Sequence, residues 1–207
     1  MTNPDAQQAM EDGTTPSQDL ARANLYAIIG RLFYDAPDDF LLAAITQDGG
    51  DEAHDAGSMD SAWRELREAC RTAFPVVLKQ EFDNLFVGVG KSEVTPYTSH
   101  YVKEGAPSRH LVRLRELMAG WELERRDAAF ETEDHVAGIC DVMRHLVAGG
   151  YSIEQQMLFF NEFVYAGLTR FCDAIDRSTN ASFYRCVAQF TRAFLAVEKA
   201  AFELQVG

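Results

Sequence analysis

The sequence is poor in the residues from which metal and redox sites are usually built. Its 207 residues include only four cysteines and five histidines. It contains no Cys-x-x-Cys pair and no His-x-x-x-His, His-Glu-x-x-His or Glu-x-x-His spacing. These absences argue against a zinc site and against a di-iron helix bundle. We therefore expect no metal and no cofactor, and we expect the cysteines to be reduced thiols, mostly in the core.

Basic residues and long apolar runs are also scarce. Lysine and arginine number 19 against 32 aspartates and glutamates, which gives a formal net charge of −13. Such a field repels nucleic acid and anionic membranes and attracts basic partners, although acidity also serves solubility alone. No apolar run approaches the roughly 18–20 residues that span a bilayer, so we expect no stable membrane insertion. The polar N-terminus has no secretion signal, and we expect a cytoplasmic protein.

What the sequence does contain is helical periodicity. Apolar residues recur at spacings of three and four over residues 19–34, 75–87, 152–176 and 181–204, among other segments, and no alternating strand stands out. The fold class we predict is all-α, a compact single-domain bundle of about eight to ten helices. Residues 1–17 are predicted to be a disordered lead, and residues 18–207 to form the helical domain.

One long segment, residues 88–108, lacks sustained periodicity. Segments of this length without regular structure tend to be functional. Its residues 96–101 include Pro96, Tyr97, Ser99 and Tyr101. Tyrosines supply rigid contact area with one polar tip, and proline lowers the entropy lost on ordering, so this composition suits peptide recognition. A loop that the tyrosines simply anchor onto the core would have the same composition.

Residues 88–92, Gly-Val-Gly-Lys-Ser, suggest a phosphate-binding loop. The P-loop pattern requires a glycine where this chain has Leu85, and it follows a buried strand. Residues 82–86 instead have helical spacing. A helix that ends at Gly88 is the interpretation we favour, and a GTP-binding protein that uses this loop is kept as an alternative.

Asp134 and His135 begin another helical segment and allow two interpretations. Adjacent residues on a helix do not face each other, so this pair is not a catalytic dyad. In one interpretation Thr132 caps the helix, while Glu133 and Asp134 complement the positive end of its dipole. In the other, Asp134 presents a carboxylate to a cationic ligand, and His135 orients a neighbouring loop.

Three motifs in this order resemble the TorD/DmsD/NarJ family of chaperones for molybdenum-containing oxidoreductases. The family's Glu-(Tyr/Phe)-x-x-Leu-Phe-x-Gly pattern is matched by Glu81, Phe82, Leu85, Phe86 and Gly88. Its Pro-Trp-x-Ser-x-Tyr loop is matched by Pro96, Ser99 and Tyr101, with Tyr97 in place of tryptophan. Its Asp-His helix start, with a later methionine and leucine, is matched by Asp134, His135, Met143 and Leu146.

The sequence departs from the family pattern at two places, and both bear on which subgroup of the family it belongs to. Thr132 and Glu133 stand where the family often has a proline, and residues 162–166 replace a His-Leu-x-x-Trp segment. The identity of the client therefore stays open.

The resemblance implies a TorD-like fold and a cytoplasmic chaperone that is not an enzyme. Its partner would be the catalytic subunit of a molybdopterin-containing oxidoreductase, held by its N-terminal twin-arginine signal peptide until cofactor insertion is complete. The alternative is a NarJ-like assembly chaperone for a subunit that is not exported. The chaperone would be a monomer or a domain-swapped homodimer. The implied peptide-binding residues are Glu81, Leu85, Phe86, Pro96, Tyr97, Ser99, Tyr101, Asp134 and His135.

Overall fold

The computed structural model describes residues 17–47, 58–88, 91–102, 107–124 and 131–205. Nine α-helices lie in these ranges: α1 Ser17–Tyr34, α2 Asp39–Gln47, α3 Ser58–Thr72, α4 Pro75–Phe82, α5 Pro107–Gly120, α6 Val136–Ala148, α7 Ile153–Phe159, α8 Tyr165–Arg177 and α9 Phe183–Leu204. The described ranges contain no strand, only an isolated antiparallel bridge between Tyr97 and His135. The prediction of an all-α bundle of eight to ten helices is confirmed. The predicted lead, residues 1–17, lies outside the described residues except for Ser17.

Two helices are extended by a π-helical turn. α4 continues into Asp83–Val87, and the turn Phe160–Val164 joins α7 to α8. The first turn ends at Gly88, whose φ of 63° lies in the left-handed region. A Cβ at this position would stand 2.3 Å from the carbonyl oxygen of Lys91. The chain therefore needs glycine here, and the predicted helix end is confirmed.

The core lies between α9 and its neighbours. α9 packs on α8 and on α3, while α1 runs along α6 in the most extensive helix contact of the fold. α1 and α6 approach closely, because Gly30 leaves room for Cys140: a Cβ at Gly30 would lie 3.2 Å from the Cys140 Cβ. On its other side, α1 is tied to α9 by Arg22, which donates to both carboxylate oxygens of the buried Glu198.

The four cysteines are free thiols, and three of them, Cys70, Cys140 and Cys172, are buried. Burial raises the pKa of all three thiols, which keeps them protonated and unreactive. Within the described ranges no group of histidine, cysteine and acidic residues is arranged to hold a metal ion. No helix in those ranges has the length and apolarity that crossing a bilayer requires.

Candidate peptide-binding groove

The turn before α6 is organised by the His135 side chain. α6 begins at Val136, and the imidazole Nδ1 of His135 accepts a hydrogen bond from the backbone N–H of Ala137 at 3.2 Å. His135 is therefore the N-cap. The prediction that Thr132 caps this helix is wrong, because the helix starts too late for its hydroxyl to reach the first-turn N–H groups. Thr132 instead accepts, through its carbonyl, a hydrogen bond from the His135 N–H.

The loop of residues 96–101 is fastened to this turn. The Thr98 N–H donates to the Asp134 carbonyl at 2.8 Å, and the Val136 N–H donates to the Pro96 carbonyl at 2.9 Å. The Ser99 hydroxyl donates to one carboxylate oxygen of Asp134 at 2.5 Å. The second and third motifs are thus brought together.

The Asp134 side chain helps to hold the loop of residues 96–101 against the turn before α6. It is only 3% exposed, and its second carboxylate oxygen accepts from the Thr132 hydroxyl at 2.5 Å. Since both carboxylate oxygens are engaged by neighbouring hydroxyls, the structure favours a positioning role over the display of charge. Direct contact between Asp134 and a ligand remains a prediction.

The two tyrosines of the loop point to different surroundings. The Tyr97 ring stands edge-on to His135, with ring centroids 5.3 Å apart, and its hydroxyl donates to Glu131. The Tyr101 hydroxyl donates to the Thr95 carbonyl at 2.9 Å, and its ring lies against the buried Phe171. Burial raises the pKa of both phenols to about 12, so both are hydrogen-bond donors at neutral pH. Of the two, Tyr97 lies beside His135, and Tyr101 anchors the loop to the core.

The residues of the first motif make contacts that stabilise the fold. Glu81 accepts hydrogen bonds from the backbone N–H groups of Ser182, Phe183 and Tyr184, at 2.8, 3.2 and 2.9 Å. It therefore caps the N-terminus of α9 from a different helix. Leu85 and Phe86 are both buried. A peptide-binding role for these three residues stays a prediction.

An open cavity of about 560 Å³ lies between α1, the turn before α6 and α6 itself. Its apolar lining includes Tyr34 and Ala27 of α1, Met118 of α5 and Val142 of α6. The charged groups that line it are four carboxylates and two guanidinium groups, namely Glu124, Glu131, Glu133, Asp141, Arg31 and Arg144. We call this cavity the α1–α6 groove; it is apolar inside, and its lining carries an excess of negative charge.

Of the predicted site residues, His135 alone lines the α1–α6 groove, and Tyr97 adjoins it through Glu131 and His135. The sequence interpretation missed the contribution of α1. Tyr34 could have indicated this contribution. It is a large aromatic residue at the end of the apolar stripe of α1, and it is 47% exposed in the fold. Exposed aromatic residues of this kind are common in binding surfaces.

Comparison with known proteins identifies the family. Residues 52–173 match the model of the family described as nitrate reductase delta subunit. The chain belongs to this family. The resemblance drawn from the three motifs is thereby confirmed at the level of the family.

A curated relative is the chaperone protein TorD of Histophilus somni (strain 129Pt), which is 25% identical over 113 residues. The match spans 54% of this chain and 58% of that relative, a little more than half of each. The relative is named as a chaperone and not as an enzyme, in agreement with the expectation of a non-catalytic protein.

Among solved structures, a protein from Archaeoglobus fulgidus assigned to redox enzyme maturation is similar, with a TM-score of 0.53 and 18% identity. The similarity covers 86% of this chain and 93% of that one. At this level of sequence identity the similarity shows only that the two proteins share a fold.

Proposed function

We propose that this protein is a redox enzyme maturation chaperone that holds the N-terminal leader of a molybdenum-containing oxidoreductase subunit in the α1–α6 groove. The observation that carries the proposal is the groove itself, an apolar cavity of about 560 Å³ with an excess of carboxylates around it. Membership of the nitrate reductase delta subunit family supports the class of partner. The compartment that fits this role is the cytoplasm, where such a leader is first available.

The chemistry of a twin-arginine leader is complementary to the groove. Such a leader is a basic segment followed by an apolar stretch. Carboxylates such as Glu131 and Asp141 attract the guanidinium groups, and Tyr34, Met118 and Val142 offer apolar surface to the rest. A flexible peptide loses much of its contact energy to ordering, so we expect micromolar affinity, about −8 kcal/mol.

Calorimetric titration of the full chain tests the proposal. The ligand is a synthetic peptide with two adjacent arginines followed by an apolar segment of about 7–15 residues. Tyr34→Ala removes an exposed aromatic from the groove and should weaken binding about tenfold. The matched control is Phe40→Ala on α2, an aromatic that is 84% exposed and does not line the groove. Equal effects of the two substitutions, or no binding by the wild type, would refute the proposal.

A second candidate is supported by the description of the family itself. A nitrate reductase delta subunit, or NarJ-like, chaperone would assist a subunit that is not exported and that has no arginine pair. Titration with the same peptide after both arginines are replaced by alanine separates the two. Tighter binding of the peptide without arginines would favour this second candidate.

The GTP-binding alternative has little support. A P-loop follows a buried strand, whereas the segment before Gly88 is the π-helical turn Asp83–Val87. Residues 89–90 lie outside the described residues. Whether the chain is a monomer or a domain-swapped homodimer stays a prediction.

A further inference from the structure

The C-terminal half of α9 is apolar on two opposite faces. One face, which includes Leu195 and Phe202, is buried in the core. The other face is exposed and is formed by Ala196, Val197, Ala200, Ala201 and Leu204. We call these five residues the α9 stripe. A surface helix of a globular protein normally presents polar residues to water, so the α9 stripe indicates a contact with another helix.

The α9 stripe has a bulky side chain towards each end and small ones between them. Leu204 is 82% exposed and Val197 is 49% exposed, and they lie about two helical turns apart. Ala200 and Ala201 lie between them on the same face and are exposed. Small side chains allow a second helix to approach closely, and the bulky ones then pack at either end of the contact.

The charges beside the α9 stripe are paired with each other. The Lys199 ammonium lies 3.6 Å from the Glu203 carboxylate, and it also lies over the Tyr165 ring, 4.9 Å from the centroid. One turn earlier, Arg192 forms an ion pair with Asp176 at 2.6 Å. A net charge of −13 makes two copies of this chain repel each other in general. The uncharged stripe with its paired flank is therefore a surface where two copies approach without a local excess of like charge.

We propose that the α9 stripe is a self-association surface, at which two copies of this chain pair through their α9 helices in antiparallel orientation. The two-fold axis passes between Ala200 and Ala201 of each helix. Leu204 of one copy then packs against Val197 of the other, so the stripe is complementary to itself. This pairing needs no exchange of helices. Since α9 contributes no lining residue to the α1–α6 groove, the contact goes beyond the proposed function.

The charged flank favours the antiparallel orientation. When a two-fold axis relates two antiparallel helices, each flank meets the same flank of the other copy. Lys199 of one copy then faces Glu203 of the second copy, and the symmetry repeats this pair. An exposed ion pair within one helix contributes little, so exchanging partners costs little. In a parallel pair the same flank would meet the uncharged side of the stripe, at Ala201.

The size of the α9 stripe sets the strength of the contact. The stripe extends for about 12 Å along the helix. A stable interface buries about 800 Å² on each partner, which is more than a stripe of this length provides. We therefore expect a weak, reversible dimer with a dissociation constant of about 100 µM.

Sedimentation equilibrium of the full chain, between about 5 and about 500 µM, tests the self-association. Leu204→Glu places a charge in the apolar contact and should weaken the dimer at least about tenfold. The matched control is Val76→Glu on α4, which adds the same charge at a position that is 76% exposed and lies outside the stripe. It should leave the dissociation constant within about twofold. Because both positions are exposed, circular dichroism should show unchanged helicity.

Exchanging the two flanking charges tests the orientation. Lys199→Glu and Glu203→Lys each place like charges opposite one another in the antiparallel pair, and each should weaken the dimer about three- to tenfold. The double variant places opposite charges together again. We expect it to recover the dissociation constant of the wild type.

Three outcomes would overturn the inference. They are a chain that stays monomeric over the whole concentration range, equal dissociation constants for wild type and Leu204→Glu, and equal weakening by Leu204→Glu and Val76→Glu. Weakening by both single charge variants without recovery in the double variant would overturn the antiparallel pairing. The proposed function is tested separately, by peptide titration and substitution in the α1–α6 groove, so either proposal can fail while the other stands.

Discussion

The first motif and the Asp-His turn came from the same resemblance, yet the structure uses them differently. Residues 81–88 hold parts of the fold together: Glu81 caps α9, and Phe86 lies among Phe33, Phe82, Phe171 and Tyr184, with ring centroids 5.0–6.1 Å apart. The turn before α6 lines an open groove through His135. The aromatic cluster around Phe86 is closed and apolar, and the groove is accessible and acidic.

This difference teaches that a motif shared with a family does not mark a binding surface by itself. Glu81 and Asp134 are both carboxylates in such motifs, and both are saturated with protein donors. The carboxylates that line the groove, such as Asp141, lie outside all three motifs. The motif residues mainly stabilise the fold around the groove, and neighbouring residues outside the motifs provide most of the groove lining.

The largest expected effect is on stability, at Phe86. Phe86→Ala removes a 7% exposed ring from the aromatic cluster and should lower the free energy of unfolding by about 3–5 kcal/mol. Urea denaturation followed by circular dichroism measures this loss. The neighbouring Val87, which is 58% exposed, provides the control. Val87→Ala should change stability by no more than about 0.5 kcal/mol. Similar losses at both positions would contradict the closed character of this region.

A smaller effect is expected at Glu81. Glu81→Ala leaves three N–H groups at the start of α9, including that of the N-cap Ser182, without their acceptor and should cost about 1–2 kcal/mol of stability. Its affinity for the twin-arginine peptide, measured by calorimetry, should not change. Gln80→Ala, at an exposed position on the same helix, serves as the control with little effect on either quantity. Weaker binding at unchanged stability would instead make Glu81 a peptide-binding residue.

The smallest effect is expected at the groove carboxylates. Asp141→Asn should weaken binding of the same peptide about two- to fivefold, because an exposed ion pair contributes at most about 1 kcal/mol. Asp173→Asn on α8 is a matched control: each aspartate pairs with an arginine, and only Asp141 lines the groove.

Varying the salt concentration gives a further test of the Asp141→Asn prediction. Screening reduces the attraction between exposed charges, so the difference between Asp141→Asn and wild type should shrink at high ionic strength. A difference that is independent of salt, or an equal effect of Asp173→Asn, would argue against electrostatic attraction by the groove.

Much of the fold was predictable from local signals. Pro75 occupies the first turn of α4, as its missing N–H and fixed φ predict. Gly88 ends a helical segment, as predicted. These positions are decided by the covalent structure of one or two residues, and this is why a sequence reveals them.

The cap of α6 shows where local signals fail. Thr132 has the better capping chemistry, but the Pro96 carbonyl binds the Val136 N–H, and the loop holds residues 134–136 in extended pairing. The helix therefore starts later, and histidine becomes the cap. A contact from a segment 40 residues away in the chain overrode the local preference.

By itself, the sequence determined the helical class, the negative net charge and the family, because periodicity, composition and ordered motifs are properties of the chain alone. Only the tertiary structure decided which carboxylates line the groove, that Tyr34 of α1 faces the turn before α6, and that His135 caps α6. These features depend on distances between residues far apart in the chain, and packing alone determines those distances.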